Sequence, residues 1–314
     1  MSTLQTSSGA TERALVHEAL LYRNQAQLER TLLDFVTAGA EAGEPVLAVL
    51  PSSNLELLQT AVGEGSGEIK FEDMTVLGHN PNCLLALYQD WIDASDCPVR
   101  VIGEAIWPGR SYAEIVECLR HEALLNHALE SAQASILCPY DAEQLDADAL
   151  AGAELTHPRL MTGDGQHSVS ERYGDPVELH AGTLWPQAVP TEPVHDHSFA
   201  GDLQGLRRSV AADPIVAELS SPRRLDLVFS VSEVAANAIK HGDGDCAARI
   251  WHDGVSVVVE VSTSSTIADA AAGRRRPALD AVSGRGLWLV NQVCDLVELR
   301  SGPDGTTLRM HVRD

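Results

Sequence analysis

Between Pro222 and His241, five polar residues, Asp226, Ser230, Glu233, Asn237 and His241, recur at steps of three and four. On a helix such steps place them in one stripe, with Leu227, Val231, Val234 and Ala238 along the other face. Within the stripe a carboxylate, Glu233, and an amide, Asn237, stand one turn apart. That pair can orient a hydroxyl nucleophile and a magnesium-bound phosphate together, as positional catalysis of phosphoryl transfer requires. A polar stripe is also what the solvated face of any amphipathic helix presents. Downstream, Gly284 and Gly286 flank Arg285 where a second helix begins. There, backbone without side chains lets amide N–H groups and the positive end of the helix dipole approach phosphates.

The string SEVAANAIKHG, the two strands and irregular loop after it, and GRGLWLVNQVCD together resemble the gyrase, chaperone and histidine-kinase ATPase superfamily, and within it the anti-sigma serine kinase branch. The resemblance implies an α/β sandwich of the histidine-kinase-like ATPase type over residues 198–314. It implies Glu233 as general base, Asn237 on magnesium through its amide oxygen, and a site for ATP formed with His241, Thr263, Ser265, Gly284, Arg285, Gly286 and Leu287. It also implies a partner-switching pathway controlling transcription, with a sigma factor and a STAS-domain anti-sigma antagonist as partners and a serine of the antagonist as phosphoryl acceptor.

The adenine-binding motif of that family has an aspartate followed two residues later by glycine, where this chain has Thr263 and Ser265. A buried aspartate taking the adenine amino group is worth about 1.5–3 kcal/mol, or roughly ten- to hundredfold in affinity, and threonine accepts a weaker bond. Two readings therefore stand open: a protein serine/threonine kinase using ATP and magnesium, and a catalytically inactive pseudokinase that holds its partner without ATP. Arg274, Arg275 and Arg276 lie where the family carries its nucleotide lid and suit phosphates, an acidic partner, or plain solvation. A two-component histidine kinase fits poorly, because no phosphoacceptor histidine lies in a helical hairpin before Pro222, and His195 and His197 fall in a proline-rich stretch.

In the first half, His17, the segment PVRVIGEAIWPG, the helix bearing HEALLN, the strand ILCPYD and Thr156-His157-Pro158 resemble the MEDS sensory domain, named for methanogen and methylotroph sensors of the dichloromethane-regulator type. That implies sensing of an unknown small-molecule ligand on a RecA-like three-layer parallel sheet over residues 1–165. No G-x-x-x-x-G-K-[ST] string accompanies the strand PVLAVLP, so the half carries no P-loop. Glu104, Trp107, Glu122, Asn126, Tyr140 and His157 are the candidates for a sensing pocket, since carboxylates and aromatics at strand ends suit a switch-point crevice; ordinary packing is the alternative. His17, His121 and His157 could instead gather as metal ligands, though their wide spacing argues against it.

Helix and strand patterns must position these groups. Helical spacing from Asn24 to Gly43, the buried-strand run PVLAVLP, and further alternation through residue 155 predict a helix-covered, mostly parallel sheet. Periodicity fails across 166–197, which reads as a linker. Beyond it come the Glu233 helix, strands around Asp253-Gly254, the helix from Gly286, and two closing strands around Gly302-Pro303-Asp304-Gly305.

The 314 residues suit two cores, and a net charge of −23 from 45 acidic against 22 basic residues repels phosphate backbones and anionic lipid. Neither nucleic acid nor membrane is expected as a partner. With no secretory hydrophobic run near the start, a cytoplasmic protein is expected, and domains of this kind commonly pair as homodimers. Six scattered cysteines without a C-x-x-C pair argue against structural zinc and a disulfide framework.

Overall fold

The computed structural model describes residues 15–63, 67–181, 187, 190, 194–241, 245–278, 280–281 and 284–314, the side chains of 198–200, 241 and 245 excepted. Two sheets organise them. The first lobe alternates strand and helix: β1 (Val16–Tyr22), α1 (Gln25–Ala42), β2 (Val46–Leu50), α2 (Ser52–Val62), β3 (Ile69–Asp73), α3 (Met74–Leu77), a 3₁₀ turn (Pro81–Cys83), α4 (Leu84–Asp93), β4 (Val99–Gly103), α5 (Tyr112–Ala128), β5 (Ala134–Asp141), α6 (Ala147–Thr156), β6 (Arg159–Thr162), β7 (His167–Val169) and α7 (Pro176–Ala181). Strand order is β3-β2-β4-β5-β1-β6-β7, parallel except where β7 turns back on β6. Parallel strands covered on both faces read as unbroken apolar runs, and Val46–Leu50 is buried throughout. Local chemistry sets the helix ends. Asn24 caps α1 by accepting from the Gln27 amide, Gly43 ends it in the left-handed region at φ 70°, and Ser111 with Glu114 forms a capping box on α5.

The second lobe is β8 (His195–Ala200), α8 (Leu203–Ala211), α9 (Pro214–Ala217), α10 (Ser221–His241), β9 (Asp245–His252), β10 (Val257–Thr263), α11 (Arg285–Val293), β11 (Leu296–Gly302) and β12 (Gly305–Val312). Its sheet runs β11-β12-β10-β9-β8, every pair antiparallel. Alternation puts Val257, Val259 and Val261 on one face, where they meet Leu227, Val231, Val234 and Ala238 of α10 and Val290 of α11 in one apolar core. The opposite face carries Glu260, Arg309 and Glu298 side by side in register, with Arg309 Nε 2.6 Å from Glu260. The whole is a mixed α/β molecule: a parallel-rich seven-stranded sheet, then an antiparallel sheet with helices on one face.

Two elements and the start of a third fall inside the stretch 166–197 that the sequence presents as a linker. β7 pairs with β6, α7 packs on α5 with its His180 carbonyl taking a 2.7 Å bond from Arg120 Nε, and β8 is the edge strand beside β9. Elements of three to six residues carry too little periodicity to announce themselves, and their partners lie elsewhere in the chain. His195 and His197 accordingly sit on β8, both bonded to Asp213 Oδ2 at 2.8 and 3.0 Å. The sequence pattern also misses β1, a central strand. Among the described residues no helix is long and apolar enough to cross a membrane.

Candidate functional site

α10 runs as one 21-residue helix, and its polar stripe divides in two. Ser230 is fully buried, its hydroxyl donating to the Asp226 carbonyl at 2.8 Å and taking a bond from the Cys294 thiol. Asp226 pairs with Arg223, which also reaches Asp295 and the Val293 carbonyl. That end of the stripe fastens α10 to the end of α11. The other end opens on a cleft. Asn237, exposed, lines a cavity of about 750 Å³ together with Val234, Lys240, Thr263, Ser265, Gly284, Gly286 and Leu287. Glu233, half-buried, faces the same helix start: a Cβ placed on Gly286 would fall 2.5 Å from Glu233 Oε2. The acid thus lies against Gly286, and the amide lines the cleft that Gly284 and Gly286 border. Gly284 is the N-cap of α11 at φ 88°, a conformation glycine adopts without strain. Arg285 is exposed and does not line the cleft; the side chain of His241 lies outside the described residues.

At the far wall, Thr263 and Ser265 point their hydroxyls at each other, 3.0 Å apart, and the Ser265 amide donates to Thr263 Oγ1 at 3.2 Å. Asp269, which no sequence pattern singles out, also lines the cleft, exposed, with one carboxylate oxygen taking the Ala271 amide at 2.9 Å. It lies four residues past Ser265, outside the expected motif spacing, so only the fold nominates it. For a nucleotide the cleft offers bare backbone, Lys240 and Arg275 for phosphates, an amide for magnesium, and hydroxyls with one carboxylate for a base. Those donor types fit.

The three adjacent arginines separate. Arg275 lines the cleft. Arg276 lines it too and pairs with Asp90 on α4, 2.7 Å away, and Arg274 is buried at 1% exposure against Glu117 of α5 at 3.1 Å. Arg120 (2.7 Å) and Arg300 (2.6 Å) converge on the same carboxylate. Burial alone would raise Glu117; the three guanidiniums outweigh it and hold the carboxyl down to about 2. The acidic partner of the loop is thus the first lobe of the same chain. Asn80 and Asn82 reinforce the junction, their amides donating to the Asn291 side chain on α11 and to the carbonyls of Asn291 and Val297.

Of the six sensing candidates, four gather. Glu122, Asn126 and His157 meet His17, whose ring lies 4.1 Å from that of His157, and Tyr140 stands edge-on to the His157 ring. Cys138, unremarked in the sequence, completes the group at 3.4 Å from both His17 and Glu122. Burial would raise Glu122, but the His157 and His17 rings against its carboxylate hold it well below the usual carboxylate range. Glu104 is elsewhere, bonded to Tyr22 (3.1 Å) and Asn54 (2.7 Å) at the end of β4, and Trp107 lies under the Arg110 guanidinium at 3.7 Å. His121 does not join the other histidines; it is buried edge-on to Tyr88, and burial pushes it down to about 4.

Residues 16–158 match the family MEDS, described as the methanogen/methylotroph, DcmR sensory domain, and residues 200–312 match the histidine kinase-like ATPase domain family. The chain joins the two. No curated protein matches it. Among solved structures, one of an ATPase domain is similar over 48% of this chain and 69% of its own length, at 11% identity and a TM-score of 0.34.

Proposed function

We propose that the protein is a sensor-regulator whose second lobe binds ATP with magnesium and acts as an anti-sigma-factor-like serine/threonine kinase, under control of a ligand bound by the first. The observation that carries the reading is that Asn237, Gly284 and Gly286 line one cleft and that the Glu233 carboxylate lies against Gly286. In this reading Asn237 holds magnesium, the amides of Gly284 to Leu287 hold phosphates, and Thr263 with Asp269 faces the base. ATP supplies the phosphoryl group. Glu233 orients and deprotonates the acceptor hydroxyl of a STAS-type partner, a role in reach of its half-buried carboxylate beside Gly286. The docked loop supports regulation: Arg274 and Arg276 tie the cleft wall to α5 and α4 of the sensory lobe, so a ligand that shifts α5 alters the wall.

A second reading, a pseudokinase that sequesters a sigma factor or STAS protein without ATP, is favoured by one detail. Thr263 and Ser265 satisfy each other and present no carboxylate at the position expected for adenine. Calorimetric titration of the full chain with magnesium-ATP separates the two. The kinase reading expects saturable heat that Asn237→Ala lowers at least tenfold in affinity; absence of heat at millimolar nucleotide leaves the pseudokinase.

A further inference from the structure

We infer that His17, Glu122, Cys138 and His157 form a site for one divalent transition-metal ion of the zinc type, buried in the first lobe. The four residues come from β1, α5, β5 and the residue after α6, and all are buried. Their donor atoms lie within 4.8 Å of one another. His17 Nε2 is 3.1 Å from Glu122 Oε2 and 3.4 Å from Cys138 Sγ; Glu122 Oε2 is 3.4 Å from Cys138 Sγ and 3.6 Å from His157 Nε2. Bonds of about 2.0–2.3 Å in a tetrahedron set donor separations of roughly 3.3–3.7 Å. Four of the six donor separations lie at or near these edge lengths, and the other two fall within 4.8 Å, so small side-chain shifts complete the polyhedron.

The surroundings fix which ring atoms face inward. His157 Nδ1 lies 2.9 Å from the Ala153 carbonyl, which only accepts, so Nδ1 carries the proton and Nε2 presents a lone pair. His17 Nδ1 is 3.0 Å from Asn126 Oδ1. The orientation of that amide is set by its nitrogen, which donates to the carbonyls of Glu122 (3.1 Å) and Thr156 (2.8 Å), so His17 also turns Nε2 inward. This is the arrangement in which outer partners hold metal-binding imidazoles. Two lone pairs and a carboxylate then converge with one thiol proton among them. His157 Nε2 and the Tyr140 hydroxyl are buried without a hydrogen-bond partner.

An extra proton on His17 would satisfy Glu122 and leave His157 Nε2 unserved. A dication bound by Glu122 and the Cys138 thiolate, with the thiol proton released to solvent, serves all four donors and makes the buried site neutral. Two imidazoles, a thiolate and a carboxylate suit zinc-type ions and are poor ligands for magnesium or calcium.

The test uses the untagged full chain, stripped with chelator and titrated with Co²⁺ and Zn²⁺. One Co²⁺ per chain is expected, with the visible bands of a tetrahedral site and thiolate-to-cobalt charge transfer, displaced by Zn²⁺ and unchanged in Cys97→Ser, which removes the exposed thiol. Cys138→Ser should abolish the charge transfer and weaken Zn²⁺ at least a hundredfold. Asn126→Ala, which touches only His17 and backbone, should weaken it roughly ten- to hundredfold. Absence of a tetrahedral cobalt spectrum in the wild-type chain, or bands that vanish with Cys97 rather than Cys138, overturns the site. The wild-type spectrum decides alone should the Cys138 variant not fold.

Discussion

Glu104 sits fully buried at the end of β4, where burial pushes its carboxyl up to about 7 against an ordinary 4.5, less the help of bonds from Asn54 and Tyr22. Its folded form holds a proton that the unfolded chain gives up near pH 4.5. The stabilising contribution is therefore complete below that pH and is lost as pH rises toward about 7, a difference of roughly 3 kcal/mol. Glu117 and Asp253, both held down to about 2, act only at lower pH, whereas His121 and His180, pushed by burial down to about 4 and about 2, act inside this window with the opposite sign, adding stability as pH rises toward 6.5. Because the histidine contribution is common to both proteins, the urea midpoint of Glu104→Gln should gain on that of the wild-type chain as pH rises from about 5 to 7; a difference that does not change with pH assigns no such role to Glu104. At this scale the sequence exposes Glu233 and Asn237 because one helical turn relates them. It cannot expose Cys138 beside His17, since that neighbourhood is made by parallel pairing of β1 with β5. Nor can it show that Ser230, one turn before Glu233, is buried structure.

α5 reads as an amphipathic helix, yet Val116 to Leu125 are buried without a break. The lobe's own core takes Cys118, Leu119 and Leu124, while α7 and the second lobe cover Arg120 and Glu117. No periodicity could announce that second cover, because its atoms come from residues 180, 274 and 300. Glu117→Ala strands three guanidiniums and should cost about 3–5 kcal/mol in chemical denaturation, with faster proteolysis of the 268–278 loop. A loss under about 1 kcal/mol would mean that the arginines find other partners. Gly273 anchors the same loop at φ 73°, with space for a Cβ only 2.7 Å from Leu287 Cγ and 3.0 Å from Asn291 Nδ2. Gly273→Ala should lower stability by about 1–3 kcal/mol, read as a drop in Tm. By contrast, the helix ends of α1 and α5 are legible, because Asn24, Gly43 and Ser111 terminate them locally.

The two halves have separate apolar cores, and the sequence reads as two modules for that reason. What joins them is mostly polar and leaves no trace in periodicity: the Glu117 cluster and the amides of Asn80 and Asn82 on Asn291, with one apolar contact, Ala271 of the cleft loop packed into the first lobe's core. Each buried partner is costly to strand, so opening the junction before either core melts is unfavourable. The wild-type chain should show one calorimetric transition. Asn291→Leu removes the side-chain acceptor shared by Asn80 and Asn82 and the donor to the Gly273 carbonyl, yet leaves both cores intact. It should split that transition in two, whereas Arg276→Ala, which breaks an exposed pair with Asp90, should shift it by less than about 1 kcal/mol. Two transitions already present in the wild-type chain would show that the lobes melt independently, and the loop would then have no mechanical route to the first lobe.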